Sequence, residues 1–258
     1  MTAALVVRDP AGATELHDLE ALFSRVWGAS SPQAPFPLLR ALGDTGGMVL
    51  GAYLGTGAAA RLVGGAVGFR TVTHPHGLRS HIVGVDTGFQ GRGIGTAIKL
   101  RQRQWCLDRG ITEMTWTFDP LVHRNARFNI ARLGAVGHAY HPDYYGRMDD
   151  DHNAGLPTDR VLLRWSLTRE GPAPDPAPGA PVVLAPGPDG APGPHLAPGG
   201  EPEVWLRVPR RIDGPARLAW RHALRAAMRP RLDEGYRWTA VTTDGCYVLQ
   251  RKSARESE

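Results

Sequence analysis

The sequence predicts an α+β fold, with a mixed, mostly antiparallel sheet flanked by helices. Three observations carry that reading. Ile111–Phe118 alternates, with Met114, Trp116 and Phe118 on one face and Thr115 and Thr117 on the other, the period of a half-buried strand. Thr14–Trp27 instead repeats at helical spacing, with Leu16, Leu19, Leu22, Phe23 and Val26 forming one apolar stripe. Between such segments, the glycines Gly91, Gly93 and Gly95 join an apolar run, Ile82–Val85, to a helical one.

Taken in order, Leu5–Arg8 reads as a strand and Thr14–Trp27 as a helix with Thr14 as N-cap. A short helix near Pro37–Leu42 stops at Gly43. Strands follow at Met48–Tyr53, Leu62–Thr71 and His81–Val85. Helix Gly95–Asp108 ends at Gly110, a residue type suited to a helix C-terminus. Then come strand Ile111–Phe118, a short helix Asn125–Gly134, and strands near Val136–Ala139 and Val161–Leu167.

Residues 169–202 hold half of the 22 prolines and almost no aromatic or β-branched side chains. Such a segment buries too little apolar surface to offset its ordering entropy, so a disordered linker of polyproline II character is expected. It separates a first domain, 1–168, from a small α/β extension, 203–251. In the extension, Glu203–Val208 reads as a strand and Ala216–Met228 as a helix. Trp238–Thr242 and Cys246–Gln250 read as a hairpin around Asp244-Gly245. A piece this short cannot easily build its own core, so it is expected to pack on the first domain or on a partner subunit, a homodimer among them.

Composition narrows the function classes. No run of eighteen apolar residues exists, and the first twenty residues meet acids early, so neither a membrane span nor a signal peptide is expected. A cytoplasmic, bacterial-type enzyme is the expectation. Cys106 and Cys246 are too few and too far apart for a disulfide framework or a metal site.

A glycine turn feeding a helix N-terminus is a general anion site, because close-approaching backbone N–H groups there lack internal partners and the helix dipole adds positive charge. The spacing excludes both the dinucleotide fingerprint and the P-loop. What remains, Gln90-Gly91-Arg92-Gly93-Ile94-Gly95 after a strand and before a helix, resembles the pyrophosphate-binding motif of the GNAT superfamily of acyl-CoA-dependent acyltransferases. The order of elements through residue 168 resembles that family too, as does the Asn125…Leu133-Gly134-Ala135 region after the fifth strand.

The resemblance implies acetyl-CoA or another acyl-CoA as co-substrate, no metal, and a small-molecule amine as acceptor. It places the pyrophosphate on the backbone of Gln90, Gly91, Arg92, Gly93, Ile94, Gly95 and Thr96, with charge from Arg92, and it adds Asn125 to the cofactor site. The thioester carbonyl meets the backbone of Val83, Gly84 or Val85, where the fourth and fifth strands splay apart. A glycine in mid-strand, Gly84, suits close approach by a ligand. The fourth strand lacks the carboxylate many GNAT enzymes use as base. His81 is then one candidate base, on the face of Val83 and Val85 by period two, and Asp119 is the other. At the usual acid tyrosine stands Ile130, which leaves Tyr145 or Tyr144 as candidate acid.

A narrower resemblance, over nearly the whole chain except the Pro-rich insert, is to bacterial GNAT proteins with a Trp-Arg-x-x-x-Arg helix and a Gly-Tyr turn in a C-terminal extension. Here these are Trp220-Arg221…Arg225 and Gly235-Tyr236. Some of that group look like amino-acid N-acyltransferases, including succinyl-CoA-dependent ones. On that reading, Arg221 or Arg225 binds a carboxylate of the acceptor or of a succinyl donor.

The net charge of +5 lies wholly after residue 202, where Arg217, Arg221, Arg225 and Arg229 fall four apart. No nucleic-acid motif accompanies this stripe, so nucleic acid is not the expected partner. A non-catalytic module that only binds CoA or nucleic acid is the alternative of another class.

Overall fold

The computed structural model describes residues 4–28, 32–72, 76–148, 153, 155–169, 179–193 and 200–251. Contacts group the chain into two compact units. One compact unit comprises Met1–Trp116 with Asp149–Ala154, and the other Thr117–Met148 with Gly155–Glu258.

In the first unit, β1 (Leu5–Arg8), β2 (Met48–Leu54), β3 (Arg61–Arg70) and β4 (Gly77–Val85) pair antiparallel in sequence order. Then β5 (Glu113–Phe118), whose last two residues fall in the second unit, joins β4 in parallel. Helix α1 (Ala13–Trp27) lays its expected stripe on this sheet: Leu16, Leu19, Leu22 and Phe23 form one buried cluster with Val49, Val67 and Ile82. Thr14 is not its N-cap. The helix begins one residue earlier, behind Gly12, and its first turn is held by Glu15, which accepts from the Ala11 N–H at 2.6 Å and from Arg8 at 2.7 and 2.8 Å. Helix α2 (Phe36–Asp44) runs through Gly43 instead of stopping there. Helix α3 (Ile94–Leu107) lies against β3 and β4, and the chain leaves it through the left-handed Gly110.

The ladder between β4 and β5 spans only Gly77–Arg79 against Glu113–Thr115, and β4 continues past it to Val85. On the other edge the β3–β4 register slips between Val67↔Ile82 and Gly68↔Ser80, leaving His81 as the extra residue of a bulge.

In the second unit, a short helix α4 (His123–Ala126) runs on as a π-helix over Arg127–Arg132. Strands β6 (Val136–His141) and β7 (Arg160–Ser166) pair antiparallel. The remaining elements are β8 (Val182–Leu184), β9 (Glu203–Arg207), α5 (Ala216–Asp233), β10 (Tyr236–Val241) and β11 (Cys246–Arg251). Their sheet order is β7-β6-β10-β11-β9-β8. The C-terminal hairpin thus extends the sheet through the pair Trp238↔Gly137, and Trp238 and Tyr247 are buried there beside Phe118.

The proline-rich stretch is not wholly irregular. Val182–Leu184 pairs in parallel with β9, Pro186 and Pro192 form a bridge, and Val183 and Leu184 are buried. Three apolar residues in a row suffice to place a strand where an edge already exists, and they correct the disordered reading for 179–193. Residues 170–178 and 194–199 lie outside the described ones. Helix α5 passes beyond Met228 and through Pro230, burying Leu232 in its last turn. Among the described residues no helix is long and apolar enough to cross a membrane.

Candidate functional site

The glycine turn forms as its sequence requires. Gly91 and Gly93 have φ of 78° and 80°, left-handed angles that disfavour any side chain. Gly93 is the N-cap of α3, and the first intrahelical bond runs from the Ala97 N–H to the Gly93 carbonyl at 3.0 Å. The N–H groups of Ile94, Gly95 and Thr96 precede that bond, so by helix geometry they have no intrahelical acceptor. Gln90, Gly91, Arg92 and Gly93 are exposed, and a Cβ at either left-handed glycine would meet open space. Arg92 stacks over the Phe89 ring at 5.1 Å, with Arg61 over the same ring at 4.7 Å. Arg61, distant in sequence, was not legible as part of this turn. A solvent-open cradle of N–H donors flanked by two guanidinium groups fits a pyrophosphate.

Val83, Gly84 and Val85 lie on the part of β4 beyond its ladder with β5. Gly84, however, owes its missing side chain to the protein itself. A Cβ there would stand 2.9 Å from the Trp27 ring and 3.3 Å from Phe23, so α1 is what approaches the strand. Val83 and Val85 are half-buried.

The bulge also corrects the placement of His81. An extra residue makes two successive side chains point the same way, so His81 joins the Ile82 face and not that of Val83 and Val85. Its ring is 5.8 Å from that of Phe69, and the residue is exposed. Desolvation, with the Arg79 charge adding to it, holds its pKa below the ordinary histidine value. A histidine so placed is neutral at pH 7, the state a general base needs.

A charged side chain that escaped notice lies between α3 and the strands. Lys99 is buried, with Nζ 3.0 Å from the Ser80 hydroxyl and 3.7 Å from the centre of the Trp116 ring. Burial lowers its pKa to about 7. Its spacing from Gly95, Ile98, Gln102 and Cys106 puts it on the buried stripe of α3, a signal present in the sequence.

The remaining expected residues belong to the second unit. Arg221 is fully buried and grips Asp119 end-on through Nη1 and Nη2, at 2.6 and 2.8 Å. Asp119 also accepts the Leu121 N–H at 2.9 Å. Arg225 holds Asp159 side-on, through Nε at 2.9 Å and Nη2 at 2.7 Å, and Asp159 further accepts from Tyr140 at 2.6 Å and the Asp143 N–H at 3.0 Å. Burial would raise the Asp159 carboxyl, but these donors outweigh it and hold the group below the usual range. Both arginines expected to seize a substrate carboxylate are therefore engaged by the chain's own carboxylates, and Asp119, expected as a base, is an ion-pair partner. Tyr145 is partly exposed, with its hydroxyl 3.3 Å from that of Thr117 and Arg160 over its ring at 5.3 Å. Asn125 sits in α4, half-buried, its N–H bonded to the Val122 carbonyl at 2.8 Å.

Known proteins were compared with this arrangement. The sequence model of the acetyltransferase (GNAT) family matches residues 16–134, a span that begins within α1 and includes the β4 bulge and the glycine turn. No curated protein matches. Among solved structures, an N-acetyltransferase from Staphylococcus aureus Mu50 superposes with a TM-score of 0.52 at 11% identity, covering 64% of this chain and 100% of that one. The ribosomal-protein-S18-alanine N-acetyltransferase from Escherichia coli gives 0.50 at 13% identity, over 65% of this chain and 97% of the other. Diaminobutyrate acetyltransferase from Paenibacillus lautus, solved with L-2,4-diaminobutyric acid and coenzyme A, gives 0.50 at 16%, over 66% and 99%. At these identities the likeness is one of fold.

Proposed function

We propose that this chain, which belongs to the GNAT acetyltransferase family through residues 16–134, transfers the acetyl group of acetyl-CoA to the amine of a small molecule, an amino acid or related metabolite. The observation that carries this reading is the exposed turn at Gly91–Gly93, whose left-handed glycines open the first N–H groups of α3 to a pyrophosphate. Amine acceptors draw support from structures of the same fold, the S18-alanine and diaminobutyrate acetyltransferases.

Acyl-CoA supplies an activated carbonyl and a good leaving thiolate. The chain's own part is to hold, orient and deprotonate. Gln90 to Thr96 hold the pyrophosphate, with charge from Arg92 and Arg61. Backbone N–H groups of Val83 to Val85, past the β4–β5 ladder, orient the carbonyl. His81, neutral at pH 7, takes a proton from the ammonium at a ring nitrogen, directly or through water. The leaving thiolate, from a thiol of pKa about 8.5, needs little help from a dedicated acid. A succinyl donor draws no support from Arg221 or Arg225, whose guanidinium groups are engaged by Asp119 and Asp159.

Titration of CoA into Gly93→Val by calorimetry tests the reading. Valine at φ 80° is strained by about 1–2 kcal/mol and reshapes the turn without a clash, so the variant is expected to fold and to lose at least tenfold in CoA affinity. Unchanged affinity in a folded variant would refute it.

A further inference from the structure

The fork between β4 and β5 opens at a definite rung. The last pair of their ladder is Arg79↔Thr115, and the next residue on each strand, Ser80 and Trp116, lies beyond it. One side chain bridges those two residues. Lys99 of α3 places Nζ 3.0 Å from the Ser80 hydroxyl and 3.7 Å from the centre of the Trp116 ring. The Met114 sulfur, on β5 within the ladder, lies 3.8 Å away. Ser80, Lys99, Met114 and Trp116 are all buried.

The hydrogen-bond roles are fixed. Ser80 Oγ donates to Gln102 Oε1 at 3.2 Å, so toward Lys99 it accepts. Gln102 in turn donates to the Met48 sulfur at 3.3 Å. Lys99 and Gln102, neighbours on one face of α3, therefore clamp the β4 residue where the fork begins. Ser80 is also the last paired residue before the His81 bulge.

A lysine buried without a carboxylate beside it opposes folding, and an apolar chain of the same length would fill the space without that cost. What its nitrogen provides instead is a simultaneous hold on a hydroxyl of one strand and a ring face of the other. Strained or costly groups of this kind gather where geometry serves a function.

We infer that Lys99 is a positioning residue: it wedges the opening between β4 and β5 and thereby sets the seat of the acyl-pantetheine arm of acyl-CoA. The inference rests on the acyl-CoA reading above, in which that arm meets Val83–Val85, just beyond Ser80 on the same strand. Lys99 acts through Ser80 and Trp116 and touches no cofactor itself.

Calorimetry on the full-length chain uses two probes: acetyl-CoA, which carries the arm, and ADP, which carries the pyrophosphate without it. Lys99→Met should weaken acetyl-CoA by about fivefold or more, because Ser80 and Trp116 must be ordered on binding once the lysine no longer holds them. The same variant should leave ADP unchanged. Leu100→Ala, on the exposed face of the same helix, should change neither. Should Lys99→Met fail to fold, Ser80→Ala, which frees β4 from the lysine, carries the same test. Unchanged acetyl-CoA affinity, an equal loss for ADP, or an equal loss in Leu100→Ala would overturn the inference. Gly93→Val separates this outcome from the underlying reading: it should weaken both probes, and if it weakens neither, the acyl-CoA reading fails whatever Lys99 does.

Discussion

Lys99 is expected to destabilise the fold at neutral pH, and Lys99→Met to stabilise it. The lysine is buried, and among the described residues its Nζ meets the Ser80 hydroxyl, the Met114 sulfur at 3.8 Å and the Trp116 ring, with no carboxylate beside them. Its folded pKa of about 7 lies below the unfolded value of 10.5. Between those values the unfolded chain binds a proton that the folded chain does not, so stability rises with pH across that window. Below pH 7 both states are protonated and the penalty is at its full size. At 1.36 kcal/mol per unit, a shift of about 3.5 units corresponds to about 5 kcal/mol, an upper bound. Methionine keeps the length and flexibility of the side chain, and Ser80 retains Gln102 at 3.2 Å as partner.

The assay is equilibrium urea unfolding of both proteins at pH 6, 7, 8 and 9. Lys99→Met is expected to be the more stable at pH 7. Its advantage should shrink by about 2 kcal/mol between pH 7 and 9, as the wild type sheds the cost of its proton. An advantage that stays constant with pH would show that the lysine does not titrate in this window, and the stated cause would be wrong. A variant less stable at every pH would mean that the ring contact and the Ser80 bond outweigh desolvation.

Three further outcomes follow from the same geometry. His81→Ala should lower kcat about 10²–10⁴-fold, and the acidic limb of the wild-type pH profile should lie below the ordinary histidine value, because desolvation and Arg79 depress the pKa; a variant with near-normal turnover at pH 7 would exclude the base role. Arg221→Met should cost about 3–5 kcal/mol by leaving the half-buried Asp119 without its ion-pair partner, whereas adding Asp119→Leu should recover most of it in a double-mutant cycle. Gly245→Ala places a Cβ 2.7 Å from His123 Nε2 and should unfold at lower urea than the wild type, with loss of the His123–Gly245 contact visible in the imidazole NMR shifts, whereas an unchanged midpoint would contradict that close approach.

The elements of the first unit were legible because each is encoded locally. The stripe of α1, the alternation of β5 and the punctuation at Gly110 need only residues near in sequence. The glycine turn was legible for the same reason, since φ near 80° at Gly91 and Gly93 excludes most other residues. What escaped depended on partners far along the chain. The bulge that turns His81 to the Ile82 face exists only in the register between β3 and β4. Gly84 reads as a ligand approach until Trp27, from a helix more than fifty residues earlier, is seen to fill the space. Strand β8 needs the edge of β9 before its three apolar residues mean anything.

The arginine row of α5 shows why side-chain spacing alone cannot assign such groups. Four arginines at equal intervals meet four different surroundings. Arg217 lines a cavity beside His123 and Arg210, Arg221 is sealed on Asp119, Arg225 is held by Asp159, and Arg229 is exposed beside Asp233 at 3.7 Å. A residue four places on is rotated by only about 40° from the first, so the row stays near one face while rising about 6 Å per step. Each step therefore reaches a different level of the structure beneath. The two central pairs add little net stability, since burying two charges costs nearly what their attraction returns. They are unequal in completeness: Arg221 leaves its Nε without a hydrogen-bond partner, a cost the bidentate grip on Asp119 has to offset. Their value lies in mispairing. A shift of α5 by one turn would leave Asp119 or Asp159 buried opposite the wrong side chain, at several kcal/mol, so the row sets the register of the helix on its own unit. The arginines that sequence spacing marks for a substrate carboxylate are thus already engaged by carboxylates of the fold.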